Sequence, residues 1–178
     1  RLYVYPLRAY WGAVQADVKP APEIVVALQE IELGTRDGVR HFYRGTGLDG
    51  GRGVTVGVVD TGIATDHPDL VVAGGRNTVV GEKPAEYGDN GEMHGTHVAG
   101  IIAARGAAPG GVRGIAPGVT LRSYRVFGKN SGQASSYAII KAIDAAVEDG
   151  CDLVNMSLGG GAPDEATRAA IEDARMRG

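Results

Sequence analysis

Asp60 and His94 are the residues of this chain whose types and surroundings best suit proton transfer. Asp60 closes an apolar run, VTVGVV at residues 54–59, and His94 opens the segment HGTHVAG at residues 94–100. A carboxylate at the end of such a run is partly shielded from water, and it keeps its charge only if hydrogen-bond donors surround it. The backbone of Thr61 and Gly62, in a turn, can supply them. Aspartate after a strand also serves metal sites, phosphotransfer domains and plain turns, so Asp60 by itself assigns nothing. Histidine titrates near neutral pH, and an imidazole oriented by a carboxylate on its far ring nitrogen forms two thirds of a nucleophilic triad. A helix start just after the glycine-containing loop at residues 88–91 leaves the His94 ring open to a cleft.

His97 stands three residues after His94, so both lie near one helical face. A zinc hydrolase using both is the competing chemistry. The metalloprotease motif places its histidines at i and i+4 with a glutamate beside the first. Here the spacing is i+3 with Gly95-Thr96 between, and no cysteine pair offers further ligands. His97 is read as a residue without a chemical role.

The elements that must hold these residues alternate. Residues 54–59 and 119–127 read as strands, and residues 151–156 as a third, each apolar and short as expected of strands buried on both faces. Residues 94–104 read as a helix rich in small side chains. Residues 135–148 form the clearest helix, with Ile139, Ala142, Ile143, Ala146 and Val147 at helical spacing, Ser135 or Ser136 as cap and Gly150 as stop. Residues 164–177 read as a last helix capped by Asp164, with Gly178 just past its end. Strands alternating with helices indicate an α/β fold with a mainly parallel sheet, and working residues then gather at the carboxyl ends of the strands. Asp60-Thr61-Gly62 and Ser157-Leu158-Gly159-Gly160 both fall at such ends. Residues 1–50 differ in character and read as an N-terminal extension, with a short strand over 2–5; residues 51–178 form the domain proper.

Bulk composition narrows the partners. The net charge of −3 gives no basis for nucleic acid as a partner. No apolar run approaches the roughly 20 residues that span a bilayer. The single cysteine, Cys151, excludes an internal disulfide framework and is read as a small apolar residue. Glycine, at 29 of 178, is in excess without a collagen period, which suggests tight turns and close backbone approach.

Four segments together resemble the subtilisin-like serine proteases (subtilases, peptidase S8). They are Val58-Val59-Asp60-Thr61-Gly62-Ile63, His67-Pro68-Asp69-Leu70, His94-Gly95-Thr96-His97-Val98-Ala99-Gly100 and Val154-Asn155-Met156-Ser157-Leu158-Gly159-Gly160. They occur in the family's order with similar gaps, and aspartate before histidine is the subtilisin order. The resemblance implies a three-layer α/β fold, incomplete at the C-terminus, and a serine endopeptidase in which Asp60 orients His94 and His94 acts as base. It implies that Ser157, Leu158 and Gly159 line the primary specificity pocket, with Ser131, Gly132 and Gln133 facing them, so that a peptide lies between two strand-like edges.

Ser157 is read as binding or structural, because Met156-Ser157-Leu158-Gly159 lacks the family's Gly-Thr-Ser-Met-Ala surroundings. The subtilisin spacing puts the nucleophile about 150–160 residues after the histidine, outside this chain. The oxyanion asparagine is expected there too, since Asn155 lies inside a strand. This fragment alone is therefore expected to be inactive. No cofactor is required for such chemistry. Calcium is a structural candidate, with Asp69 at a family ligand position, although the loop at residues 105–111 lacks the asparagine common there. The resemblance further implies polypeptide substrates, a propeptide of the chain's own (Tyr3-Val4-Tyr5-Pro6 resembles its last strand) and a secreted, extracellular protein. The competing reading is a non-catalytic fragment that binds peptides or inhibits a protease.

Overall fold

A computed structural model of the chain describes residues 50–107, 111–160 and 164–177. The expected strand over 2–5, the propeptide resemblance and Gly178 lie outside the described residues.

Four parallel strands form the sheet: β1 (Thr55–Asp60), β2 (Val72–Asn77), β3 (Thr120–Arg125) and β4 (Leu153–Met156), in the order β2-β3-β1-β4. Three helices accompany them: α1 (His94–Ala103), α2 (Ser136–Glu148) and α3 (Glu165–Arg177). Successive side chains of a strand point to opposite faces, and β1 uses both. Val56 and Val58 join Ala99 and Ala103 of α1, with Leu121 and Ile63, in one buried cluster. Val59 joins Tyr124 and Ala138, Ala142, Ala145 and Ala146 of α2 in the other. Helices thus cover both faces of the sheet, as the α/β reading requires, and their alanines bring them close to it.

Helix α2 starts at Ser135, whose Oγ accepts the Ala138 N–H at 3.2 Å, and the chain leaves it through Gly150 at φ 71°. Ala142, Ile143 and Ala146 are buried as the spacing predicts, while Ala138 and Ala145 take the central places expected of Ile139 and Val147. Asp164 caps α3, accepting the Ala166 N–H at 3.2 Å and the Thr167 hydroxyl at 2.6 Å. That helix packs on α2 and buries none of its own residues.

Strand β2 is a finding that the sequence pattern did not announce. Its residues, VAGGRN, alternate weakly and contain two glycines. The register with β3 shifts between Val72 and Gly75, and a Cβ on Gly75 would run into the Ser123 carbonyl. Glycine is therefore needed where this edge strand bulges, and the same glycines hide it from a reading based on apolar periodicity. No helix among the described residues is long and apolar enough to cross a membrane.

Candidate active site

Asp60 ends β1 with no exposed surface, and its Oδ1 lies 2.7 Å from His94 Nδ1. The same oxygen accepts the Thr61 N–H at 2.7 Å, so the turn after β1 supplies a backbone donor, as anticipated. Asp60 Oδ2 is buried without a hydrogen-bond partner. The His94 side chain is 55% exposed. The arrangement is a half-exposed imidazole anchored on one nitrogen by a buried carboxylate.

The start of α1 is held by groups that the sequence does not mark. Met93 occupies the cap position in the left-handed region, at φ 64°, and its side chain caps nothing. Thr61 Oγ1 instead accepts the Gly95 N–H at 2.9 Å, and Asp89 Oδ1 accepts the Met93 N–H at 3.2 Å. Asp89 Oδ2 also receives the Thr96 hydroxyl at 3.0 Å, and Thr96 Oγ1 takes the Ala64 N–H at 2.9 Å. Orphan helix donors are thereby tied to the loop carrying Asp60. Behind them Ser123, fully buried on β3, accepts the Ile63 N–H at 3.0 Å and donates to the Tyr87 carbonyl at 2.7 Å. A Cβ on Gly95 would meet the Gly62 carbonyl and lie 3.1 Å from the Asp60 Cβ, so helix and strand end touch through bare backbone.

The two segments expected to face a peptide follow the carboxyl ends of β3 and β4. Ser131, Gly132 and Gln133 lie in a turn closed by the bridge between Phe127 and Ala134, with Ser131 Oγ donating to the Gln133 carbonyl at 2.9 Å. Ser157, Leu158 and Gly159 continue from the end of β4. Neither segment belongs to a strand of the sheet: both run past its last ladder bonds. Phe127, Ala134 and Leu158 pack against one apolar cluster, which brings the two segments to the same side of the molecule.

The other candidates separate cleanly. Ser157 is exposed, and its Oγ accepts from Asn155 Nδ2 at 2.9 Å rather than meeting His94. Asn155 lies inside β4, as read. His97 is exposed, and no group of three His, Cys, Asp or Glu among the described residues is placed to hold a metal. Asp69 is buried, with Oδ1 accepting the Ala107 N–H at 2.8 Å. Cys151 touches the Tyr124 hydroxyl at 3.4 Å, and burial raises its pKa, which keeps the thiol protonated at neutral pH.

A parallel sheet flanked by helices, with a carboxylate-anchored imidazole at the carboxyl ends of its strands, defines an α/β protein. The pattern describing the subtilase family, peptidase S8, matches residues 51–177, and the chain belongs to that family. Subtilisin DY of Bacillus licheniformis is 43% identical over 128 residues, covering 72% of this chain and 45% of that protein. The minor extracellular protease Vpr of Bacillus subtilis (strain 168) is 36% identical over 144 residues, covering 72% of this chain and 17% of that protein. The major intracellular serine protease of the same strain is 35% identical over 170 residues, covering 91% of this chain and 48% of that protein. The chain thus spans less than half the length of these relatives.

Proposed function

We propose that this chain is the N-terminal part of the catalytic domain of a serine endopeptidase, with Asp60 as the orienting carboxylate and His94 as the general base. The observation that carries the reading is the 2.7 Å contact between His94 Nδ1 and a fully buried Asp60. On this reading a serine and an oxyanion donor come from a part of the protein outside these 178 residues. The serine Oγ attacks the scissile carbonyl carbon and its proton passes to His94 Nε2. The imidazolium, stabilised by Asp60, then gives that proton to the leaving amine, and water repeats the sequence on the acyl-enzyme. Ser131, Gly132 and Gln133, with Ser157, Leu158 and Gly159, bind the peptide on either side of the pair. The chemistry calls for no cofactor.

In the complete protein, His94→Ala should lower kcat for a peptide amide by roughly 10⁶-fold, while the fold by circular dichroism stays unchanged. Retained turnover would refute the assignment of His94. An extracellular location belongs to the same reading; it is supported by the relative named extracellular and opposed by the one named intracellular. Assaying the medium and the cell contents of the producing organism separately decides it.

A further inference from the structure

Arg125 is the largest fully buried side chain among the described residues, and it ends β3 in register with Asp60 of β1. Its guanidinium uses three nitrogens. Nε donates to the Phe127 carbonyl at 2.9 Å, one terminal nitrogen to the Glu86 carbonyl at 3.3 Å and the other to Glu82 Oε2 at 2.7 Å. Glu82 in turn accepts Asn77 Nδ2 at 2.9 Å and the Lys129 N–H at 3.1 Å. Burial by itself raises the Glu82 pKa, but Asn77, the Lys129 N–H and the Arg125 charge outweigh it and hold the carboxyl below its usual value.

A partly buried ion pair is weak evidence of a stabilising role, because its desolvation cost often matches its attraction. What this pair does is join three segments. It ties the end of β2 (Asn77) to the excursion over 78–93 that leads into His94 (Glu82, Glu86), and both to the loop after β3 (Phe127, Lys129). Asn90 adds a second strap, with its N–H on the Thr61 carbonyl at 3.0 Å and Nδ2 on the Gly128 carbonyl at 3.2 Å. The strapped loop runs directly into Ser131, Gly132 and Gln133.

The geometry points to Glu82 and Arg125 as positioning residues that fix the Ser131–Gln133 segment relative to Asp60 and His94, and so govern the binding of extended peptides rather than bond cleavage. This role rests on the protease reading above. It is tested in the complete protein with two substrates: a hexapeptide amide that reaches the segment, and a small acyl ester that does not. Glu82→Gln should raise KM for the hexapeptide about tenfold while leaving kcat, and ester hydrolysis, within about twofold. Arg76→Gln, which removes a surface ion pair with Glu148, serves as the control and should move neither. Lys129→Pro keeps the Glu82–Arg125 pair and deletes the loop's N–H together with the lysine charge that acts on Glu82. Lys129 follows Gly128 in a turn closed by the Ser131 N–H on the Gly128 carbonyl, a position that accepts proline, so this variant folds even if Glu82→Gln does not. It should raise KM for the hexapeptide about threefold. Equal losses on both substrates, or an unchanged hexapeptide KM in Lys129→Pro, overturn the positioning role alone. If the unaltered protein hydrolyses neither substrate, the protease reading falls and takes this role with it.

Discussion

Gly95 is where the two halves of the candidate site touch. Its N–H is held by Thr61 Oγ1 and its missing side chain makes room for the Gly62 carbonyl and for Asp60. Gly95→Ala forces atoms apart at a point where backbone opposes backbone, and overpacking of this kind costs about 1–3 kcal/mol. The variant should lose at least that much stability in urea titration, and the His94–Asp60 contact should lengthen, lowering kcat well before the protein unfolds. Asp60 and His94 were legible in the sequence because each lies in a short local motif. Thr61, Asp89, Asn90 and Ser123 were not. Each has a partner well away along the chain, from Thr96 for Asp89 to Ile63 for Ser123, and a polar residue gives no sign in sequence of which distant group it will meet.

Elements were legible to the extent that apolar periodicity announced them. The spans read for β1, β3, β4 and all three helices differ from the observed ones only at their ends, as end fraying and cap geometry make usual. Strand β2 escaped because a glycine bulge at a sheet edge carries neither alternation nor an apolar run. The cap of α2 was legible as one of two serines, and the bond from Ala138 selects Ser135. Ser135→Ala should destabilise the domain by about 1 kcal/mol, whereas Ser136→Ala should change it by much less. Paired thermal melts of the two variants check the difference.

At the scale of the whole molecule, the ionisable groups set a stability window. Glu82 has a folded-state pKa below the usual 4.5, so its contribution is complete above that value and is lost as pH falls through the lowered one. Tyr124 and Cys151 are shifted the other way, chiefly by burial, and the Tyr124 hydroxyl donates to Asp149 at 2.8 Å. Their contribution is complete below the usual values of 9.0 and 10.0 and is lost as pH rises through the raised ones. Melting temperature of the complete protein should therefore fall at both ends of the range. Glu82→Gln should flatten the acid limb and Tyr124→Phe the alkaline one, each leaving the opposite limb as it was. Neither limb was legible beforehand, since it depends on which acids and phenols the fold buries.

The meeting of Gly62, Gly88 and Gly95 gives the molecule a hinge pin without play. Strand end and helix start are separated by the thickness of peptide groups alone, so no rotamer change can widen or narrow the gap. The turn at 128–133 is tied to this pin through Asn90, and the segment at 157–160 packs through Leu158 on the cluster under α2. Residues at those two segments can therefore be exchanged while the joint between strand end and helix start keeps its dimensions.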